Sequence, residues 1–413
     1  MEFGINKKIK IVWICQFSNE HVQDKLPLYK KSPICAAWIT NTLEGFKNND
    51  EYEIHVLSPH LWLKRDFSFE ENGIFYHFYK IGIPIISRNW PSFFRFDIFT
   101  NFYFNRKKIS SIVYKIRPNL INVQGAENSH YSSVVLDLYK KYPILLTIQG
   151  FISLDVYSKN DFIKRNRIKL ESKVINACRY FGGDADSELI IKQMGNKDFS
   201  FFNYYYPINA NIEKLNKSEV IKDYDLMFWS RIVQDKGAED FLLLISNLVI
   251  DFPDLKAIFI GPVSDDYFSY LKDKSKELGC FENIFFRGFI ESEQKLYEEV
   301  LKAKILVIPT YNDRFPTVLR EAVCLKIAVI AYATGSIPVF NYGDERILLT
   351  EQAGVNQLTS YAKKLLANND YYNALVHKAY EHGIKEFSIK DNCERMAMAY
   401  KEILKQKQKN INY

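Results

Sequence analysis

The 413-residue chain contains no C-x-x-C pair, no apolar run near the ~20 residues that a membrane-spanning helix needs, and no G-x-G-x-x-G following a strand. Each absence narrows the reading. Its six cysteines (Cys15, Cys35, Cys178, Cys280, Cys324, Cys393) are scattered and read as reduced and mostly buried. No Cys or His pair has zinc-ligand spacing, and the pairs His55/His60 and His377/His382, each five apart, read as incidental. The basic start at residues 1–8 lacks an apolar segment followed by a small-residue cleavage site, so the expected compartment is the cytoplasm. A formal net charge of +6 is too mild for a nucleic-acid binder, yet suits anionic lipids or phosphorylated small molecules. The missing dinucleotide fingerprint argues against a nicotinamide dehydrogenase. Solenoid repeats and low-complexity blocks are absent too.

What the chain does have is a strand–helix rhythm that runs twice. In the first half, short apolar or alternating segments at 9–15, 52–57, 73–79, 120–123, 144–148 and 200–204 read as strands. Helical spacing at 34–46, 129–141, 160–177 and 187–194 falls between them. Residues 207–223 are polar and poorly periodic, and read as a linker. The rhythm restarts with strands at 226–229, 255–260, 284–286, 305–308, 327–331 and 346–349. Helices at 355–367, 371–386 and 389–405 close the chain, and residues 406–413 read as frayed. The expected class is α/β, with two parallel-sheet domains facing across a cleft.

The most informative stretch is Ile308-Pro309-Thr310-Tyr311-Asn312-Asp313-Arg314-Phe315-Pro316-Thr317-Val318-Leu319-Arg320-Glu321-Ala322. A buried strand ends there, Phe315-Pro316 breaks the chain, and a short helix begins at Thr317. A helix N-terminus at the carboxyl end of a parallel strand offers free N–H groups to an anion, here those of Thr317, Val318 and Leu319. Asp313 and Glu321 bracket the turn, and carboxylates accept paired hydroxyl hydrogen bonds. A polyhydroxylated anion would satisfy both features. On residues alone, Asp313 is also a turn-former or cap, and Glu321 a solvated helix position.

Three landmarks, in order, resemble the donor domain of retaining glycosyltransferases of the GT-B fold, family 4 (glycosyl transferases group 1). Phe228-Trp229-Ser230-Arg231-Ile232-Val233-Gln234-Asp235-Lys236-Gly237 is similar to the family's G-R-x-x-x-x-K-G element. Phe286-Arg287-Gly288-Phe289-Ile290 is similar to F-x-G-x-[VI], and Asp313 through Glu321 to E-x7-E. The first half resembles the acceptor domain more weakly, through Pro118-Asn119-Leu120-Ile121-Asn122-Val123-Gln124-Gly125 and Thr147-Ile148-Gln149-Gly150.

The resemblance implies an acceptor-binding domain over 1–206, the linker 207–223, a nucleotide-sugar domain over 224–387, and a C-terminal helix, 388–413, packing back on the first domain. Arg231 and Lys236 would grip the diphosphate; on residues alone, two solvated surface charges are the plainer reading. Glu321 would hold the ribose hydroxyls, and Asp313 the donor sugar near its reacting carbon. Asp stands where the family usually has Glu, which shortens the reach by one methylene. Gly288 would meet the base, or simply end its strand. Gln149-Gly150 replaces the family's His-Gly or His-Asp, so no general base is assigned. Asn128 and His130 are candidate acceptor contacts, with loop capping as their alternative role.

The implied activity is retaining, metal-independent transfer of a sugar from a UDP- or GDP-sugar to a glycan or lipid-linked acceptor of surface polysaccharide or lipopolysaccharide synthesis. No obligatory cofactor is implied. A nucleotide-sugar-binding subunit without transferase activity and a nucleotide-sugar epimerase of similar fold are the rival readings. Residues 88–108 interleave aromatics with Arg88, Arg95, Arg106, Lys107 and Lys108. They read either as a peripheral contact with the anionic inner face of the cell membrane or as a core helix with a basic end. Asp184-Ala185-Asp186 reads as a helix start, not a metal-binding D-x-D.

Overall fold

Alternate residues of the first apolar run face opposite ways, and both faces are buried. In β1 (Ile9–Ile14), Ile11 and Trp13 join one core cluster, while Val12 and Ile14 join another. A strand covered on both sides has no use for polar alternation, which is why it reads as a continuous hydrophobic run. The computed structural model describes residues 8–25, 36–60, 63–81, 97–155, 160–209, 211–215 and 220–411. The chain forms two units, Met1–Pro207 with Ile389–Tyr413, and Ile208–Ser388.

In the first unit, β1 is followed by β2 (Tyr52–His60), β3 (Phe67–Glu71), β4 (Ile74–Lys80), β5 (Leu120–Gln124), β6 (Ile144–Thr147), β7 (Tyr180–Gly183) and β8 (Ser200–Asn203). They make one sheet in the order β3-β4-β2-β1-β5-β6-β7-β8. It is parallel except at one edge, where β3 runs antiparallel to β4. That edge strand escapes the sequence reading because FSFEE is only half covered and carries charge. Residues 129–141 are two short helices, Ser129–Ser132 and Val135–Leu138, instead of one. Asp184 opens the helix Ala185–Gln193, accepting a hydrogen bond from Ser187 N at 3.0 Å.

The last helix, Ile389–Ile411, covers one face of this sheet and continues well past residue 405, where the sequence suggested fraying. Cys393, Met396, Tyr400 and Ile403 recur at helical spacing and enter the core with Ile11, Trp13 and Leu145. Asn122, fully buried in β5, donates to Tyr400 Oη at 2.8 Å and accepts from Thr147 Oγ1 at 2.8 Å. Helix and sheet are thus matched by polar register as well as by apolar area.

The second unit holds β9 (Tyr224–Trp229), β10 (Ala257–Ile260), β11 (Ile284–Gly288), β12 (Ala303–Ile308), β13 (Ala328–Tyr332) and β14 (Leu348–Thr350). The sheet order is β11-β10-β9-β12-β13-β14, with every pairing parallel. The chain winds outward from β9 to β11, then returns to the other side of β9 at β12. The winding therefore reverses between β9 and β12. Within the segment read as a linker lies a helical turn, Ile212–Leu215, with Ile208 and Ile212 buried in the second unit.

Candidate functional site

In an open parallel sheet, the loops leaving two strands at a winding reversal diverge and leave a crevice at the strands' carboxyl ends. Here those are the loops after β9 and β12, and backbone contacts hold them together. Gly237 has φ +76°, and a Cβ there would lie 1.9 Å from the carbonyl oxygen of Pro309. Only glycine permits that approach. Tyr311 N donates to Asp235 O at 2.9 Å. The Tyr311 and Tyr332 hydroxyls both donate to Asp240 Oδ2, at 2.5 and 2.6 Å, fixing the loop to the helix Ala238–Val249.

Lys236, almost fully buried, reaches across from the first loop to the second. Its ammonium donates to Asn312 O at 2.5 Å and to Asp313 Oδ2 at 2.8 Å. The other Asp313 oxygen accepts from Arg314 N at 2.9 Å. A third loop, after β13, supports the turn from behind. Ser336 N donates to Arg314 O at 2.7 Å, and Gly335 packs against Asp313 O. The Arg231 side chain is exposed and makes no hydrogen bond or ion pair among the described residues, so it stays available at the end of β9.

Past Phe315, half-buried Thr317 and Val318 open the helix Thr317–Cys324. Pro316 precedes it without a side-chain cap, which leaves first-turn N–H groups for an anion or water. The Leu319 side chain is fully buried and its N–H already donates to Pro316 O at 3.2 Å, so the open donors of this first turn are those of Thr317 and Val318, not the three expected from the sequence. Glu321, one turn on, is 8% exposed and accepts from the Tyr297 hydroxyl at 3.0 Å. Burial pushes its carboxyl up to about 7, against the opposing effects of Tyr297 and Arg320. Gly288 ends β11 at φ +72° with open space where a Cβ would point. It sits on the edge strand, separated from β9 by β10.

The acceptor-side candidates form a separate group in the first unit. Gln149 and Gly150 follow β6 and are half-buried. Asn128 does not cap the helix Ser129–Ser132 with its side chain; its amide donates to Glu127 Oε1 at 2.8 Å. His130 is 3% exposed, with Nε2 3.2 Å from Gln16 Oε1. Burial, helped by Arg167, pushes the imidazole down to about 3. His130 therefore stays neutral at ordinary pH and supports the loop from beneath. Glu127, unremarked in the sequence, has its carboxyl pushed up to about 8 by burial. Its neighbours Glu171 and Arg167 come from about forty residues further along, and no local motif announces them.

Of the stretch 88–108, residues 88–96 lie outside the described residues. The remainder divides by face. Phe102 is buried, whereas Phe99 and Phe104 are 67% and 72% exposed. On the helix Tyr103–Ile116, Ile109 and Val113 enter the core, and Lys107 lies 5.5 Å from the exposed Tyr103 ring. No helix among the described residues is long and apolar enough to cross a membrane.

Comparison with known proteins adds three findings. Residues 211–382 match the family model described as glycosyl transferases group 1. The chain is 22% identical, over 72% of its length and 76% of the relative's, to the putative teichuronic acid biosynthesis glycosyltransferase TuaC of Bacillus subtilis (strain 168). Among solved structures, it resembles sucrose-phosphate synthase from Thermosynechococcus elongatus (TM-score 0.72, 14% identity, 97% of this chain and 100% of that one). It also resembles Anabaena HepE in complex with UDP (TM-score 0.69, 13% identity, 95% of this chain and 100% of that one).

Proposed function

Taking a chain with the GT-B fold whose residues 211–382 match the family model of glycosyl transferases group 1, we propose a retaining glycosyltransferase that moves a sugar from a UDP- or GDP-sugar to a glycan or lipid-linked acceptor in surface polysaccharide or lipopolysaccharide synthesis. The observation that carries this reading is the join between the loops after β9 and β12, made by the Lys236–Asp313 pair beside an uncapped helix N-terminus. HepE, which shares the fold, is a UDP complex, and TuaC is named for teichuronic acid biosynthesis.

In this reading Arg231, Lys236 and the N–H groups of Thr317 and Val318 hold the diphosphate, and that of Leu319 joins them by exchanging its bond to Pro316 O. They stabilise the negative charge that grows on it as the sugar departs. That positive charge lets transfer proceed without an obligatory metal. Glu321 accepts the ribose hydroxyls, Gly288 borders the base, and Phe315 and Pro316 shape the turn over the phosphates. Asp313 faces the donor sugar, and binding exchanges part of its contact with Lys236 for sugar hydroxyls. Gln149, Gly150 and Asn128 meet the acceptor in the first unit, with His130 underlying them.

Exposed Phe99, Tyr103 and Phe104 beside Lys107 suit a peripheral contact with an anionic bilayer. Salt-sensitive sedimentation with anionic liposomes checks this.

The deciding experiment is a thermal-shift screen of UDP, GDP and their sugars, followed by transfer and donor-hydrolysis assays in EDTA. Stabilisation by one nucleotide, with metal-free turnover and retained anomeric configuration, is expected. Stabilisation with neither transfer nor hydrolysis across a broad sugar panel would favour a binding subunit. Conversion of the donor without an acceptor would favour an epimerase.

A further inference from the structure

Glu321 is an unusual residue to find on a short helix packed into the core. Burying a carboxylate is unfavourable unless donors compensate it. Its side chain has one hydrogen bond among the described residues, from the Tyr297 hydroxyl to Oε1 at 3.0 Å. Tyr297 lies on the helix Glu293–Val300 and is 3% exposed. Its ring stands edge-on to Trp229, the last residue of β9, at 6.2 Å and 90°. The phenol is thus held by packing against the strand whose exit loop carries Arg231. Burial and Glu321 both push the Tyr297 hydroxyl further up, so it remains a donor across the working pH range. Arg320 favours the Glu321 charge and Glu293 opposes it.

A carboxylate that receives a vicinal diol must present its oxygens in a defined plane, and a single buried donor sets that plane. We propose that Tyr297 is a positioning residue that orients the Glu321 carboxylate toward the ribose hydroxyls of the donor. This rests on the assignment of Glu321 to the nucleotide. The diol donates two hydrogen bonds to the ionised carboxyl, and protonation removes part of that capacity. Donor affinity therefore rises as pH passes through the free-state titration of Glu321, near 7. Removing the phenol removes a hydrogen bond that favours the charged form, so this rise moves to higher pH.

The test is calorimetric titration of wild type, Tyr297→Phe and Glu321→Gln with UDP-glucose and GDP-glucose from pH 5.5 to 9. Their diphosphates do not change charge in that window. Tyr297→Phe keeps the ring against Trp229 and deletes only the oxygen. Its affinity should fall about tenfold at pH 7, with the midpoint shifted up by roughly one unit and most of the loss recovered at pH 9. A uniform loss with an unchanged midpoint, or no loss, would overturn the positioning role while a weakened Glu321→Gln leaves the donor site intact. Wild-type affinity in Glu321→Gln, or no binding of either sugar nucleotide to the wild type, would remove the donor assignment itself.

Discussion

Glu321→Gln should make the second unit more stable at neutral and alkaline pH, even as it weakens donor binding. The carboxyl titrates near 4.5 when unfolded and at about 7 in the folded chain. Between these values the folded state binds more protons than the unfolded state, so stability falls as pH rises from about 4.5 through 7. The rise corresponds to about 3 kcal/mol at 1.36 kcal/mol per unit, an upper bound because a buried amide also has a desolvation cost. Gln keeps an acceptor for Tyr297 and removes the charge. We expect the variant to gain about 2 kcal/mol at pH 8, or roughly 4–8 °C in a unit of this size, and to match wild type near pH 4.5. Urea unfolding and melting at half-unit pH steps measure this directly. Glu127 tilts the pH dependence of the first unit in the same direction, so the readout is the difference between variant and wild type. Identical pH slopes for the two proteins would refute the argument that burial of Glu321 stores this cost.

Lys236→Ala should weaken nucleotide-diphosphate binding about 10- to 100-fold, the worth of a buried charge-assisted hydrogen bond; an unchanged calorimetric affinity would count against the site. Asp313→Asn should lower turnover at least about tenfold while changing nucleotide affinity much less, so normal turnover would take Asp313 out of the mechanism. His130 is held neutral, titrating at about 3 when folded against 6.5 unfolded. Stability is present above 6.5 and lost as pH falls below it, by about 2 kcal/mol at pH 5. His130→Asn should flatten that acid limb in pH-dependent unfolding of the first unit, and an unaltered limb would assign the acid loss to other groups.

Strand identity was legible wherever a run is buried on both faces, as at Ile11–Ile14 and Ile305–Ile308, because such segments need no polar residue. It was not legible for Phe67–Glu71, whose alternation is masked by charge on an exposed edge. The single helix suggested for 129–141 breaks at Ser133, where helical spacing alone carried no stop signal. For the candidate site, the strand ends, the Phe315-Pro316 break and the two carboxylates eight apart could be read from the chain. Their environments could not. Nothing local to Glu321 names Tyr297, which stands in a charged stretch, Glu293–Val300, as an ordinary amphipathic position.

By itself, then, the sequence determined the α/β rhythm, the restart after residue 223, and a set of polar residues at strand exits, since periodicity and chain breakers act within a few residues. Only the tertiary structure decided that β12 lies beside β9, that Lys236 meets Asp313 seventy-seven residues away, and that Glu321 is buried with a single phenol for company. Those facts depend on strand order and packing between distant elements, and these are what set desolvation, ion pairing and the acidity of each group.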